Sequence, residues 1–266
     1  MNIETAHLIC YSPTRTTFTN LHHVAEGMEL STSHILDLTL PNGTSDEEIT
    51  IKDGVALIGV PIYAGRVAPV AAKRLQTIKG RGTPAVIAVV YGNRHYENAL
   101  IELKQLVEDS GFKVIAGATL IGEHSYSSDK KPIALGRPDE KDKHIGRQFG
   151  AKIMEKLKKV TDLAHLPPLE LPGSLPEGPY LGPANITPEI IPERCILCGQ
   201  CVECCPTGAI KANETISINA SLCTFCCACL KTCPEDAVRI TIPKVLEKVD
   251  YLYEHFQTRR EPELFL

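Results

Sequence analysis

Two textures alternate through residues 1–163. Short unbroken apolar runs, rich in Val and Ile, read "TAHLICYS", "VALIGVPIY", "PAVIAVVYG" and "KVIAGATLIG". Runs of this length and makeup belong to strands buried on both faces. Between them, "FTNLHHVAEGM", "PVAAKRLQTI", "ENALIELKQLVEDS" and "DKHIGRQFGAKIMEKLKKV" place apolar residues at helical spacing. "HILDLTL" fits a further strand after the first helix. Strand and helix in alternation predict right-handed βαβ units, hence a parallel sheet with helices on both faces. Five strands with short connections predict a doubly wound α/β domain.

The pattern then stops. Residues 164–189 open "AHLPPLELPGSLPEGPYLGP", so rich in Pro that neither a helix nor a central strand runs through them. A stiff, extended linker is expected, with its apolar residues laid against a domain surface. A Cys-rich segment fills residues 190–242. In the last stretch, 243–266, "PKVLEKVDYLYEHFQ" predicts an amphipathic helix followed by a tail.

Composition narrows the function. The chain has 266 residues, 43% hydrophobic and 23% charged, as an ordinary globular protein of two domains would. A net charge of −4 argues against nucleic acid or an anionic membrane as partner. No apolar run approaches the roughly 20 residues that span a bilayer. The start, "MNIETAHLIC", has no basic n-region or long apolar h-region, and a cytoplasmic location is expected. Ten of the 11 cysteines lie between Cys195 and Cys233. In a reducing compartment such a cluster binds metal or does redox chemistry and does not form structural disulfides.

Those cysteines form a repeat. "CILCGQCVECCPTGAI" at 195–210 returns 28 positions later as "CTFCCACLKTCPEDAV". Cys195, Cys198, Cys201 and Cys205 align with Cys223, Cys226, Cys229 and Cys233, each set reading C-x2-C-x2-C-x3-C-P. That spacing holds [4Fe–4S] clusters in two-cluster bacterial ferredoxins, where the fourth Cys of each run ligates the other cluster. One cluster therefore takes Cys195, Cys198, Cys201 and Cys233, and the other takes Cys223, Cys226, Cys229 and Cys205. Cys204 aligns with Thr232 and Cys227 with Gly199, which marks both as non-ligands; Cys10, in the first strand, is a core residue. Structural zinc, with four ligands in two separated pairs, fits eight cysteines in tandem poorly. Over residues 190–242 the chain resembles the bacterial 2[4Fe–4S] ferredoxins, which implies a small α+β domain with "TGAIKANETISINASL" as its hairpin.

At the other end, the first strand runs into "YSPTRTTFTN". The hydroxyls of Ser12, Thr14, Thr16 and Thr17, with the loop N–H groups and the helix N-terminus, suit an anion; they also suit simple helix capping. The stretch resembles the phosphate loop of flavodoxins, Ser/Thr-x-Thr-Gly-x-Thr, and the resemblance spans residues 3–160 and implies FMN. Arg15 stands where that family has Gly. Either the loop is reshaped, or the guanidinium pairs with the phosphate dianion. In a doubly wound sheet the ligand lies at the carboxyl ends of the strands, where "PIYAGRVAP", "YGNRHYEN" and "GEHSYSS" follow three of them. The resemblance puts Pro61, Tyr63, Ala64, Gly65, Tyr91, Gly92, Asn93, Arg94 and Tyr96 against the isoalloxazine, with Tyr126 a further candidate. The chain has no Trp, so any stacking on the flavin falls to tyrosines. No G-x-G-x-x-G follows a strand, which leaves a Rossmann-type nicotinamide site without support.

Together the halves resemble the flavoferredoxins, flavodoxin-like domains fused to a 2[4Fe–4S] ferredoxin, on "SPTRTT", "GVPIYAGRVAP" and "VVYGNRHYENAL". That resemblance implies an electron carrier of anaerobic metabolism, with redox proteins as partners and a second copy of the chain among the candidates. The alternative is an FMN reductase of a quinone or similar acceptor, with His95 and His124 as the candidates for proton delivery.

Overall fold

The computed structural model describes residues 3–30, 32–41 and 47–266. In chain order the first domain runs β1 (Thr5–Cys10), α1 (Thr16–Met28), β2 (Thr32–Asp37), β3 (Ile49–Ile51), β4 (Val55–Tyr63) and β5 (Arg66–Val67). It continues with α2 (Pro69–Leu75), β6 (Ile78–Gly80), β7 (Pro84–Tyr91), α3 (Ala99–Asp109), β8 (Lys113–Ile121) and α4 (Glu140–Lys159). The parallel strands lie in the order β2-β1-β4-β7-β8. Numbered along the chain, that is 2-1-3-4-5, the flavodoxin-like doubly wound order. Every residue of β7 is buried, as its unbroken apolar run requires.

Each face of the sheet has its own core. One gathers Ile58, Ile87 and Leu100 under α2 and α3; the other gathers Leu8, Leu21 and Phe149 under α1 and α4. The last two helices cross closely because glycines meet there: a Cβ on Gly150 would lie 2.1 Å from Val24 O. The periodic stretch "PVAAKRLQTI" is helical only to Leu75. Ile78, read there as helix, instead opens β6 and pairs with Ile49 of β3.

The Pro-rich segment is laid on this domain. Leu169 is buried in the α2/α3 core with Leu171 packed beside it, and Lys113 Nζ donates to Leu166 O at 3.0 Å. Beyond it come β9 (Glu189–Ile190), α5 (Gln200–Glu203), β10 (Ile210–Ala212), β11 (Ile216–Ile218), α6 (Ala228–Thr232), β12 (Val238–Arg239) and α7 (Pro243–His255). β10 and β11 form the expected hairpin, and β9 pairs with β12 to close the small α+β domain. The repeat in sequence is a repeat in backbone. Leu197 and Phe225 have φ of 55° and 53°, Gly199 and Cys227 78° and 62°, and Gly208 and Asp236 63° and 49°, so left-handed turns recur at the same offset.

After α7 the chain returns to the first domain. β13 (Glu263–Phe265) adds antiparallel to β8 and becomes the edge of the sheet. Arg259 donates to Asp139 Oδ2 at 2.5 Å and Asp142 Oδ1 at 3.0 Å, and buried Arg137 pairs with the same Asp142 while donating to Arg260 O. The Cys-rich domain is thus tied to the sheet through both of its ends. Among the described residues no helix is long and apolar enough to cross a membrane.

Candidate cofactor sites

The loop after β1 is shaped by its own hydrogen bonds. Ser12 N donates to Thr39 Oγ1 at 2.8 Å, and Ser12 Oγ accepts from Phe18 N at 3.0 Å. Arg15 caps α1 with φ 65° and ψ −8°, the left-handed region that glycine occupies freely. The loop is therefore not reshaped by the loss of Gly: Arg15 keeps the glycine-like conformation at a steric cost of roughly 1–2 kcal/mol. Its guanidinium turns aside to Asp37 Oδ2 at 2.6 Å and lies 4.2 Å over the Phe18 ring. Part burial opposes charge on Asp37, but hydrogen bonds from Thr39 and Arg15 hold its carboxyl below the ordinary value. Thr17 Oγ1 is buried and meets no hydrogen-bond partner among the described residues. A buried hydroxyl without a partner beside a helix N-terminus is what an anion-binding loop presents.

A cleft lies at the carboxyl ends of β4, β7 and β8, and none of Ser12, Thr14, Arg15, Thr16 and Thr17 is among the residues that line it. Tyr63, Ala64 and Gly65 line it from one turn, Tyr91, Gly92 and Arg94 from a second, and His124 and Tyr126 from a third. Pro61 lies within β4 and is half-buried. Asn93 and Tyr96 face elsewhere: Asn93 Nδ2 donates to Phe256 O and Thr258 O, and Tyr96 Oη donates to Glu263 Oε2 at 2.9 Å. Both hold the tail instead of opening on the cleft. His95 also borders the cleft and is stacked on Tyr96.

The cleft has walls that the strand–loop pattern does not announce. Tyr180 and Pro183 come from the Pro-rich segment, Thr224 and Phe225 from the Cys repeat, and Lys248 and Leu252 from α7. Burial, reinforced by the nearby charges of Lys248, Lys231 and Arg94, pushes the His124 pKa down to about 4. His124 Nδ1 accepts from Tyr126 N at 3.0 Å, which leaves the proton of the neutral ring on Nε2.

The cysteines sort into two cavities. One is lined by Cys195, Cys198, Cys201 and Cys233; the other by Cys205, Cys223, Cys226 and Cys229. These are the crossed sets of four that the spacing predicts. Cys205 Sγ accepts from Ala209 N and Cys233 Sγ from Ala237 N, both at 3.2 Å, so the backbone donors are related by the repeat as well. Cys227 borders the second cavity, but its thiol donates to Phe225 O, as Cys204 donates to Cys201 O. Burial pushes the Cys226 thiol up to about 12. Among the described residues no three His, Cys, Asp or Glu groups converge on a point for a single ion.

Thr224 and Phe225 line both the second cavity and the cleft. The Phe225 ring meets Tyr126 edge to face at 5.9 Å. The second cavity is therefore proximal to the cleft and the first distal from it.

Residues 187–210 match the family model of a 4Fe-4S binding domain. No curated protein matches the chain. Among solved structures, a flavodoxin from the domain Archaea is similar at 14% identity and a TM-score of 0.36, over 58% of this chain and 99% of its own. A Fusobacterium nucleatum flavodoxin bound to flavin mononucleotide is similar at 14% identity and 0.39, over 59% and 98%. The rubredoxin oxygen:oxidoreductase of the anaerobe Desulfovibrio gigas is similar at 15% and 0.42, over 58% and 36%. The chain joins a flavodoxin-like α/β domain to a 4Fe-4S binding domain, the first assigned by its own strand order and the second by the matched residues.

Proposed function

We propose that the chain is an electron-transfer flavoprotein in which two [4Fe–4S] clusters pass single electrons to FMN. The observation that carries this reading is the shared wall, Thr224 and Phe225, between the cleft and the cavity of Cys205, Cys223, Cys226 and Cys229. Clusters held by the two cysteine sets would each exchange one electron and a flavin in the cleft two, so the order distal set, proximal set, cleft would suit converting one-electron delivery into two-electron reduction.

The chain's own residues hold and separate these groups. The loop of Ser12, Thr14, Thr16 and Thr17 would seat the FMN phosphate, with Thr17 Oγ1 its free buried donor. Tyr63, Tyr91 and Tyr126 supply the aromatic surface for the ring. His124 Nε2 offers a neutral donor, and Lys248 and Arg94 favour negative charge in the cleft. Tyr180, Phe225 and Leu252 add apolar walls from the Pro-rich segment, the Cys repeat and α7.

The test is iron, acid-labile sulfide and flavin content of anaerobically purified chain, followed by rapid mixing with a one-electron donor. About eight iron and one FMN per chain are expected, with the clusters reduced first and the flavin after them. Clusters and flavin that reduce independently would overturn the relay. Steady-state turnover of a quinone, lost in a His95→Ala or His124→Ala chain, would replace it with the reductase reading.

A further inference from the structure

The two cysteine cavities share one backbone but differ in their polar side chains. At the second position of each repeat the distal copy has Ile196 and the proximal copy Thr224. Ile196 is 62% exposed, whereas Thr224 Oγ1 is buried and has no hydrogen-bond partner among the described residues. Thr224 borders the proximal cavity, and its hydroxyl neighbours Cys226. Behind it lies Tyr11, fully buried at the end of β1, whose Oη also lacks a partner of good geometry among the described residues. The two hydroxyls neighbour each other, and Cys226 and Cys205 bear electrostatically on the phenol. One backbone donor is common to both cavities, Ala209 N to Cys205 Sγ in the proximal and Ala237 N to Cys233 Sγ in the distal.

Two buried hydroxyls left unpaired cost stability unless something accepts from them. The sulfur of Cys226 is an acceptor beside the Thr224 hydroxyl. We infer, on the reading given under Proposed function, that Thr224 Oγ–H donates to the sulfur of Cys226 or the cube it holds, that Tyr11 Oη–H donates to Thr224 Oγ, and that this chain of hydroxyls raises the reduction potential of the proximal cluster. One-electron reduction adds negative charge to the cube and its thiolates and breaks no bond. A donor to sulfur stabilises that added charge more than it stabilises the oxidised state. Hydrogen bonds in series strengthen one another in a low-dielectric site. The effect opposes the burial of the proximal cavity, which on its own disfavours the extra charge. It therefore favours electrons leaving the exposed distal cluster for the one beside the flavin. Tyr11 acts through Thr224 and is a positioning residue.

The experiment is an EPR-monitored redox titration of the full chain with both clusters and FMN in place, comparing wild type with Thr224→Val, Thr224→Ser and Tyr11→Phe. In Thr224→Val one cluster midpoint should fall, with the one-electron equilibrium between the clusters shifting about tenfold, or 59 mV for n = 1. The other midpoint should stay. Thr224→Ser, which keeps the hydroxyl, should restore the wild-type value, and Tyr11→Phe should move the same midpoint in the same direction by less. Iron and sulfide content, measured on each sample, should remain at the wild-type level. Midpoints unchanged in both Thr224→Val and Tyr11→Phe, or shifted equally for both clusters, overturn the inference while the relay stands. A wild-type chain that takes up no iron overturns the relay, and the inference with it.

Discussion

Tyr126 and Phe225 meet edge to face, ring centroids 5.9 Å apart and planes at 78°, where the α/β domain touches the cluster domain. Tyr126 follows β8, and Phe225 sits between two ligand-set cysteines in a left-handed turn. Its counterpart in the first copy, Leu197, is 47% exposed, while Phe225 is 4% exposed. The same backbone position faces solvent in one copy and forms the domain joint in the other.

That joint is testable through Phe225. Truncation to Ala empties a buried ring site, for which losses of about 3–5 kcal/mol are usual. Phe225→Ala should lower stability in urea by about 3 kcal/mol, discounted for relaxation at an edge of the core. It should also slow flavin reduction after the clusters in rapid mixing. Full stability with unchanged internal transfer would show that Phe225 is not part of the joint.

A second prediction concerns acid. The His124 pKa lies at about 4 against an ordinary 6.5, because the buried ring resists charge. Between those two values the unfolded chain binds a proton that the folded chain does not, so stability falls as pH drops through this window and is intact above it. From pH 7 to pH 5 the loss is about 2 kcal/mol from this group. Urea unfolding at the two pH values should show it, and a His124→Asn chain should lack most of it. An equal loss in the variant would place the sensitivity elsewhere.

The sequence shows some of these features more readily than others, for physical reasons. The crossed cysteine sets were legible because ligand spacing is a property of the local chain, and the repeat supplied its own alignment. The central parallel strands β4 and β7 were legible because burial on both faces demands unbroken apolar runs, whereas β2 lies at the sheet edge with Ile35 exposed. β13 was not: three residues, Glu263 to Phe265, are too short for a period to register, and pairing with β8 is decided by the tail's anchors. Asn93 and Tyr96 carry residue types that suit a flavin, but the tail engages them, and nothing near them in sequence says so. Tyr180 was hidden by the Pro-rich composition around it. Its only signal was an aromatic in a segment expected to lie on a surface.

The tail's hold can be weakened at Arg259. Its guanidinium bridges Asp139, the N-cap of α4, and buried Asp142. Hydrogen bonding from Arg259 is the main reason that the Asp139 carboxyl lies far below its ordinary 3.8. A depressed carboxyl stabilises the fold above its unfolded value and loses that contribution as pH falls through its folded one. Because Asp139 is partly exposed, solvent screens much of the effect. Arg259→Ala should cost about 2 kcal/mol at neutral pH through lost charge-assisted bonds and should move the acid-unfolding midpoint to higher pH. Hydrogen exchange at Leu264 and Phe265 should speed up as β13 detaches. Unaltered exchange there would mean that strand pairing alone holds the tail.

The phosphate loop offers the most direct check on FMN. Thr17 is buried, its hydroxyl lacks a partner among the described residues, and Val fills nearly the same volume. If the hydroxyl donates to a phosphate oxygen, Thr17→Val removes one charge-assisted bond, worth about 1.5 kcal/mol, or roughly tenfold in affinity. Quenching of FMN fluorescence on titration into flavin-free chain measures that affinity. The stability of the flavin-free chain should hold or rise, since Val leaves no donor unpaired. Arg15→Gly separates the two features of the loop. It relieves the left-handed strain and removes the ion pair to Asp37, so affinity should change little if the guanidinium stays turned aside. A large loss of FMN in Arg15→Gly, with none in Thr17→Val, would mean that the guanidinium swings back onto the phosphate when the flavin binds.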